Sequence, residues 1–259
     1  MTKALFFDID GTLVSFNTHE IPASAIEALE QAKKNGVKIF ISTGRPIQFI
    51  NNLQAISHLI DGYMTTNGGC CFVGDRTVSI HPIAKDDVRY VTDVCLKTET
   101  GCVVVGKEHI SALFPEKMEY IMHNLLRISY TQWEASLEEV MRGDVLQITP
   151  FFTAEQETEV MQHLHSVTSA RWYPDFTDIT AKKADKGQGL VAIAEAEDIA
   201  IADTMAFGDG GNDMSIIRQA GIGVAMGNAG DDVKAVADYV TTSVDDDGIA
   251  NALKHFDVI

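Results

Sequence analysis

Residues 5–13 read LFFDIDGTL, an apolar β-strand sequence whose end carries Asp8 and Asp10. Side chains alternate between the two faces of a strand, so we expect both carboxylates to point the same way. Two carboxylates a few ångströms apart repel each other and shift each other's pKa unless a cation or a shared proton relieves them. The pair therefore predicts a compensating group elsewhere in the chain.

The composition fits a globular protein with a full core and argues against two classes of partner. With 259 residues, of which 46% are hydrophobic, the chain suits one large domain or one domain carrying an insertion. Its net charge of −17 opposes binding to nucleic acid and to an anionic membrane surface. A small phosphorylated substrate stays possible, because a metal and a few cations can reverse the field in one pocket.

Several features of the sequence predict a cytoplasmic protein. No apolar run is long enough to span a membrane, and MTKALFFDID becomes acidic too early for a secretory signal. The four cysteines have no CxxC spacing and read as buried, reduced thiols. The sequence does not fix the oligomeric state, and a monomer is compatible with it.

Two stretches of strand–helix alternation flank a segment of different pattern. The alternation over residues 1–82 and 184–259 indicates an α/β core, a doubly wound and mostly parallel sheet with helices on both faces. A helix is expected to begin at Pro46, directly after STGR. Residues 83–183 mix short β-prone runs with helical stretches and predict an inserted α+β domain. Its helices are expected at 84–98, 115–123 and 154–164.

Polar motifs stand where the predicted strands end or the helices begin, which is where ligands bind in open parallel sheets. They are Asp8 with Asp10, Thr43-Gly44-Arg45, Lys186 in DKG, and Asp209 with Asp213 in GDGGND. Two acidic clusters at one sheet edge suit a hard cation such as Mg²⁺. The helix expected after Arg45 predicts an anion site at its N-terminus, and Lys186 adds positive charge toward a phosphate or a nucleophile.

In this order, DIDGTL, STGRP, DKG and GDGGNDMSI resemble the four motifs of the haloacid dehalogenase-like superfamily. More narrowly, they resemble those of its Cof-like sugar-phosphate phosphatases. The likeness covers roughly residues 1–80 and 185–259, and the insertion lies between the second and third motifs, where that subfamily carries a large α/β cap. The resemblance implies a Rossmann-like core and a Mg²⁺-dependent phosphatase.

The resemblance also implies separate roles for the acidic residues. Asp8 would be the nucleophile that forms an aspartyl-phosphate, and Asp10 would protonate the leaving alcohol and then activate water. Mg²⁺ would bind the Asp8 carboxylate, the Asp10 backbone carbonyl and Asp209. Asp213 would bind the metal or hold the site together, and Thr12 would help to position the turn around Asp10.

The remaining motif residues would bind the phosphoryl group. Thr43 and the Gly44 amide would bind the transferring group itself, and Asn212 would reach the phosphate or its ester oxygen. Lys186 would orient and neutralise the nucleophile. Two interpretations of Arg45 stay open, since it can contact the phosphate or cover the end of the following helix.

Specificity is expected from the inserted domain, where the resemblance is weakest. Asp178, in TDIT, can hydrogen-bond sugar hydroxyls or be a surface carboxylate at a strand end. The aromatic residues Trp172, Tyr173 and Phe176 favour a place in the domain core over a platform for a sugar ring.

Hydrolysis of small sugar phosphates, hexose phosphates in particular, is the function that this reading predicts. A dehalogenase has no need of a second acid such as Asp10, and a response-regulator receiver has neither the insertion nor GDGGND. Two enzymatic alternatives stay open: a phosphosugar mutase and a phosphatase for another small ester, such as a flavin or pyridoxal phosphate. A sugar-phosphate-binding regulator without turnover is the non-enzymatic alternative.

Overall fold

The computed structural model describes residues 2–125, 133 and 135–259. The chain divides into two units, which we call the core unit and the inserted unit. The core unit comprises the residues up to Ile80 together with Asp185–Ile259, and the inserted unit is His81–Ala184. The sequence places the insertion at 83–183, so the two sets of boundaries differ by one or two residues.

Thirteen strands and eight α-helices lie within the described residues. The strands are β1 (Ala4–Phe7), β2 (Lys38–Ser42), β3 (Gly62–Thr65), β4 (Cys70–Val73), β5 (Arg76–Ile80), β6 (Cys102–Gly106), β7 (Ile110–Leu113), β8 (Val145–Pro150), β9 (Val167–Tyr173), β10 (Phe176–Ala181), β11 (Thr204–Gly208), β12 (Ile222–Ala225) and β13 (Tyr239–Val240). The helices are α1 (Ala23–Lys34), α2 (Lys85–Thr98), α3 (Leu137–Arg142), α4 (Ala154–Met161), α5 (Lys186–Ala196), α6 (Met214–Gln219), α7 (Asp231–Lys234) and α8 (Gly248–His255).

The core unit contains an eight-stranded sheet in the order β13-β12-β11-β1-β2-β3-β4-β5. The strands from β13 to β3 pair in parallel, while β4 and β5 extend the sheet as an antiparallel hairpin. This confirms the predicted α/β class. In a parallel sheet the carboxyl ends of neighbouring strands meet at one edge, so the residues after β1, β2 and β11 come together.

Strand β1 is apolar throughout because both of its faces are buried. Leu5 and Phe7 pack in one core with residues of α1 and α8, whereas Ala4 and Phe6 pack in a second core with residues of α5 and α6. A strand covered by helices on both sides reads as a continuous apolar run, which is the pattern of residues 4–7.

The inserted unit is built on a five-stranded sheet in the order β7-β6-β8-β10-β9, with antiparallel pairing throughout. Alternate residues such as Val104, Ile148 and Ile179 pack with residues of α2, α3 and α4. Because side chains alternate, Gln147 and Asp178 lie on the opposite face of this sheet. That face carries the polar residues considered below.

Two sequence-based helix predictions are wrong. The chain after Pro46 forms only a 3₁₀ turn over Ile47–Phe49, and Ile50 is extended. Nη1 of Arg45 donates to the Phe49 carbonyl over 3.1 Å, which occupies an oxygen that a longer helix would have used. A single short turn has no appreciable macrodipole, so the helix-based anion site is absent there.

The second wrong prediction is a continuous helix over 115–123. The structure has a 3₁₀ turn at Pro115–Lys117 and a π-helical turn at Ile121–Leu125. The first turn ends at Met118, whose φ of −112° departs from that of a regular α-helix. Strand β7 and helix α3 were not predicted. Across the described ranges, no helix combines the length and the apolar character that a membrane crossing requires.

Candidate active site

The motif residues of the core unit meet at the carboxyl edge of its sheet. Asp8 follows β1 and is held there by its amide, which donates to the Phe207 carbonyl of β11 over 3.1 Å. Thr43 follows β2, and its amide donates to the Met64 carbonyl of β3 over 2.8 Å. Backbone bonds between adjacent parallel strands thus fix the places where both side chains emerge.

Lys186 is the buried cation of the site. It is the first residue of α5 and is 1% exposed. Its Nζ donates to Asp8 Oδ1 over 2.7 Å, to Asp213 Oδ1 over 2.6 Å and to the Ser42 carbonyl over 3.0 Å. Burial alone would lower the pKa of Lys186, but the two carboxylates raise it above its usual value. Lys186 therefore stays charged and links the first motif to the fourth.

Asp213 is almost fully buried and organises the fourth motif. Its Oδ2 accepts hydrogen bonds from the amides of Asp209 and Gly210, over 3.1 and 2.9 Å. Since Oδ1 binds Lys186, both oxygens of this carboxylate have partners within the protein. Asp213 thereby fixes the loop that carries Asp209.

Three carboxylates of the site could hold a metal ion. Asp8, Asp209 and Asp213 each offer one oxygen, and these oxygens lie within 4.8 Å of one another. Carboxylate oxygens are the ligands of hard divalent cations such as Mg²⁺. The Asp10 carboxylate is not part of this group. The donor set fits the cation that the sequence predicts.

The electrostatics of Asp8 also fit a cation. The pKa of Asp8 is raised to about 8, with burial as the largest cause; Lys186 opposes the rise, and the charge of Asp213 adds to it. The pKa of Asp209 is raised to about 6, because burial outweighs the lowering effect of the hydrogen bond from the Thr12 hydroxyl. One ammonium group does not compensate all of this negative charge, and a divalent cation beside these oxygens would.

Asp10 and Arg45 form an ion pair with two parallel hydrogen bonds. Nε of Arg45 donates to Asp10 Oδ2 over 2.7 Å, and Nη2 donates to Oδ1 over 2.8 Å. Strand β1 ends at Phe7, so the expected strand alternation does not extend to Asp10, and the two carboxylates have different cationic partners. Arg45 thus binds the carboxylate of Asp10. The two interpretations from the sequence, a contact with the phosphate and a cover for the end of the following helix, did not include this ion pair.

Thr12 and Thr43 have well-defined hydroxyl partners. The Thr12 hydroxyl is buried and donates to Asp209 Oδ1 over 3.0 Å, so it orients a candidate metal ligand in addition to its place in the turn after Asp10. The Thr43 hydroxyl accepts from the Arg45 amide over 3.1 Å. Its proton is therefore available to a bound phosphoryl oxygen.

Two asparagines of the site, Asn67 and Asn228, were not identified from the sequence. Asn212 Nδ2 donates to Asn67 Oδ1 over 2.9 Å, and Asn228 Nδ2 donates to the Gly11 carbonyl over 2.8 Å. Asn67 follows β3, and Asn228 follows β12. The Asn-Gly pair at 67–68 is also a turn signal. The position after a strand, and for Asn67 the Asn-Gly pair, are the sequence signals that could have found them.

Asp178 is in the inserted unit, within a polar cluster on the sheet face opposite the helices. Its Oδ1 accepts from Gln147 over 2.9 Å and from Thr149 over 2.6 Å, and its Oδ2 accepts from Trp172 Nε1 over 2.8 Å. Burial raises the pKa of Asp178 above its usual value. Among the described residues, the buried Gln147 Oε1 has no hydrogen-bond partner.

The aromatic residues beside this cluster divide between core and surface. Phe176 is 1% exposed, whereas Trp172 is 57% exposed and packs edge-on against Phe176 with ring centroids 4.7 Å apart. The core assignment thus fits Phe176 and fails for Trp172. The exposed indole ring of Trp172 is tethered by Asp178.

Comparisons with known proteins agree with this geometry. The sequence model of the haloacid dehalogenase-like hydrolases matches residues 5–253. The solved structure of BT4131, described as a subclass IIB sugar phosphatase of that superfamily, is 48% identical, covers 100% of both chains and superposes with a TM-score of 0.89. That of BT1666 from Bacteroides thetaiotaomicron, analysed among the phosphatases of the superfamily, is 34% identical, covers 100% of this chain and 96% of its own, and has a TM-score of 0.84.

A curated relative leads to the same assignment. The phosphatase YwpJ of Bacillus subtilis is 25% identical over 283 residues, a match that covers 98% of this chain and 99% of YwpJ. Both the family match and the structural matches extend over the core and the insertion. Because BT4131 and YwpJ are described as phosphatases, the comparisons support phosphatase activity for this chain. The chain belongs to the haloacid dehalogenase-like hydrolases.

Proposed function

We propose that this chain is a Mg²⁺-dependent phosphatase that hydrolyses small sugar phosphates, hexose phosphates first, through an aspartyl-phosphate on Asp8. The observation that carries the proposal is the buried ammonium of Lys186, shared between Asp8 and Asp213 over 2.7 and 2.6 Å. This ammonium fixes the Asp8 carboxylate beside the oxygens that could bind a cation. A carboxylate nucleophile needs to be held in place, and an anionic ester needs positive charge nearby.

In the first step, an oxygen of the Asp8 carboxylate attacks the phosphorus atom of the ester. The bond between phosphorus and the ester oxygen breaks, and Asp10 gives its proton to that oxygen, so the sugar leaves as an alcohol. Thr43 donates its hydroxyl hydrogen to the phosphoryl group, and the Gly44 amide and Asn212 bind the same group. Lys186 keeps the Asp8 carboxylate oriented through the step.

In the second step, Asp10 acts as a base. Its carboxylate takes a proton from a water molecule, whose oxygen attacks the phosphorus atom. The bond from Asp8 to phosphorus breaks, and inorganic phosphate leaves. Asp8, the Asp10 backbone carbonyl and Asp209 would hold Mg²⁺, which would supply charge stabilisation to the phosphoryl oxygens. Asp213 holds the loop that presents Asp209.

The preference for a sugar rests on the inserted unit and on one relative. Gln147, Thr149, Asp178 and Trp172 combine hydrogen-bonding groups with an exposed aromatic ring, as sugar-binding surfaces do. The relative BT4131, 48% identical to this chain, is itself described as a sugar phosphatase.

A panel of phosphate esters with and without Mg²⁺ tests the proposal. We expect phosphate release to depend on Mg²⁺, to be fastest with hexose phosphates and to vanish in Asp8→Asn. Release of phosphate by Asp8→Asn at the wild-type rate would refute the nucleophile assignment. A preference for flavin or pyridoxal phosphate would refute the sugar assignment, and transfer within one sugar without phosphate release would identify a mutase.

The partners follow from the same proposal. We propose a cytoplasmic enzyme with a small phosphate ester as its substrate and without a nucleic-acid or membrane partner, in keeping with the net charge of −17. A regulator that binds sugar phosphate without turnover would have no use for an acid such as Asp10 beside the nucleophile. Detectable Mg²⁺-dependent turnover excludes it.

A further inference from the structure

The turn after β3 has an unusual backbone. Thr66, Asn67 and Gly68 all adopt left-handed conformations, with φ values of 49°, 55° and 91°. A β-branched residue such as Thr66 rarely adopts positive φ, so the surrounding structure must hold the turn in place. The Thr66 amide donates to the Arg45 carbonyl over 3.1 Å, and the Asn67 amide donates to the Thr43 carbonyl over 3.0 Å. The turn is therefore fixed against the backbone of the second motif.

The same turn packs against the start of α5. A Cβ atom on Gly68 would lie 2.4 Å from the Asp185 carbonyl oxygen, so no side chain fits at this position. Asp185 directly precedes the catalytic lysine, and its side chain accepts from the Gln188 amide over 2.9 Å at the helix start. The turn consequently lies between the second and third motifs.

The side chain of Asn67 extends from this turn to the fourth motif. Its Oδ1 accepts from Asn212 Nδ2 over 2.9 Å. Its amide also covers Gly44, where a Cβ atom would lie 3.2 Å from Oδ1 and 3.3 Å from Nδ2. Asn67 thus contacts two of the residues that are proposed to bind the phosphoryl group.

We propose that Asn67 is a positioning residue of the phosphate site, which fixes the side-chain amide of Asn212. Asn212 is exposed, so without a partner its amide would occupy several rotamers, and ordering it would oppose substrate binding. The hydrogen bond to Asn67 orders the amide in advance, because the turn that carries Asn67 is itself fixed. This inference rests on the phosphatase function proposed above.

The variant Asn67→Gly tests this role with little risk to the fold. Glycine accepts the φ of 55° without strain and keeps the backbone amide that binds Thr43, so only the side-chain amide is lost. We expect an unchanged melting temperature and a kcat/KM that falls about 2- to 10-fold on a hexose phosphate. The matched control is Asp198→Gly, which places glycine at another left-handed residue, with φ 53°, outside the site and leaves kcat/KM unchanged.

A double-mutant cycle with Asn212→Ala separates positioning from a general structural effect. If Asn67 acts through Asn212, the double variant loses no more kcat/KM than Asn212→Ala alone. Losses that multiply in the double variant would overturn the proposal, and so would a wild-type kcat/KM in Asn67→Gly.

Calorimetric titration with inorganic phosphate in the presence of Mg²⁺ provides a measurement that does not need turnover. We expect Asn67→Gly to bind phosphate about 2- to 10-fold more weakly than the wild type, and equal affinities would overturn the role of Asn67. A wild type that binds phosphate but hydrolyses no ester would refute the proposed function alone, since the titration still tests Asn67. A wild type that does neither would overturn both proposals.

Discussion

Lys186 is the residue on which the core site depends most directly. Its ammonium is fully buried between Asp8 and Asp213, and the Ser42 carbonyl takes its third hydrogen bond. Removing one member of such a group leaves uncompensated charge away from water, which costs more than the net contribution of the intact pair. The same side chain therefore supports both the fold and Asp8, the proposed nucleophile.

We predict that Lys186→Met abolishes phosphatase activity and lowers the free energy of unfolding by about 3–5 kcal/mol. The reason is that Asp8 and Asp213 stay buried without their cation. Urea denaturation in the absence of Mg²⁺ measures the stability. Lys3→Met is the matched control, because it removes an exposed lysine whose ion pair with Asp203 is at the surface, and its effect is small. Equal losses in the two variants would contradict the prediction.

At the scale of single residues, the sequence identified most of the acidic and phosphate-binding candidates, because the order of the motifs places each at a strand end or a helix start. The contact partners could not be predicted. The pairing of Asp10 with Arg45 depends on the side-chain paths of residues 35 positions apart, and Asn67 meets Asn212 across 145 positions. Neither contact leaves a local pattern in the sequence.

At the scale of elements, the parallel strands and their helices were predicted because continuous apolar runs and 3.6-residue periodicity are strong local signals. The prediction failed where tertiary contacts compete with the helix. Arg45 takes a carbonyl oxygen after Pro46, and the turn that begins at Pro115 ends at Met118, with φ −112°. Strand β7 is only four residues long, so its signal was too weak.

Helix α2 of the inserted unit carries an acidic residue that predicts a pH dependence. Asp87 lies in its first turn and accepts from the Ser166 amide over 2.9 Å and from the Ser166 hydroxyl. Burial raises the pKa of Asp87, but these bonds and one from the His165 amide hold it below its usual value of 3.8. A lowered pKa in the folded state means that the stabilisation is present above the unfolded-state pKa and is lost as the pH falls through the folded-state pKa.

We therefore predict that Asp87→Asn lowers the free energy of unfolding by about 1–2 kcal/mol at neutral pH and that the difference from the wild type shrinks toward about pH 3. Urea midpoints at both pH values measure this. Asp86→Asn is the control, since Asp86 is in the same turn but its side chain is 94% exposed. A difference for Asp87→Asn that is equally large at both pH values would contradict the electrostatic explanation.

At the scale of the whole molecule, the excess of negative charge and the candidate cation site are connected. The formal net charge is −17, and three of the aspartates converge within 4.8 Å at one sheet edge. Concentrated like charge destabilises a folded chain unless a counter-charge binds to it. In the proposed function, a bound divalent cation would thus stabilise the fold as well as the transferring phosphoryl group.

We predict that Mg²⁺ raises the melting temperature of the wild type, corresponding to about 2.7 kcal/mol at a concentration of 100 times Kd, because the ion binds the folded state alone. Asp209→Asn removes a ligand carboxylate and should abolish the shift. Thr12→Val keeps the size of the side chain but deletes the hydroxyl that orients Asp209, and it should weaken Mg²⁺ about 10- to 100-fold. Thermal unfolding across a Mg²⁺ titration measures all three, with Thr12→Ser as the control that retains the hydroxyl. An undiminished shift in Asp209→Asn would place the cation elsewhere.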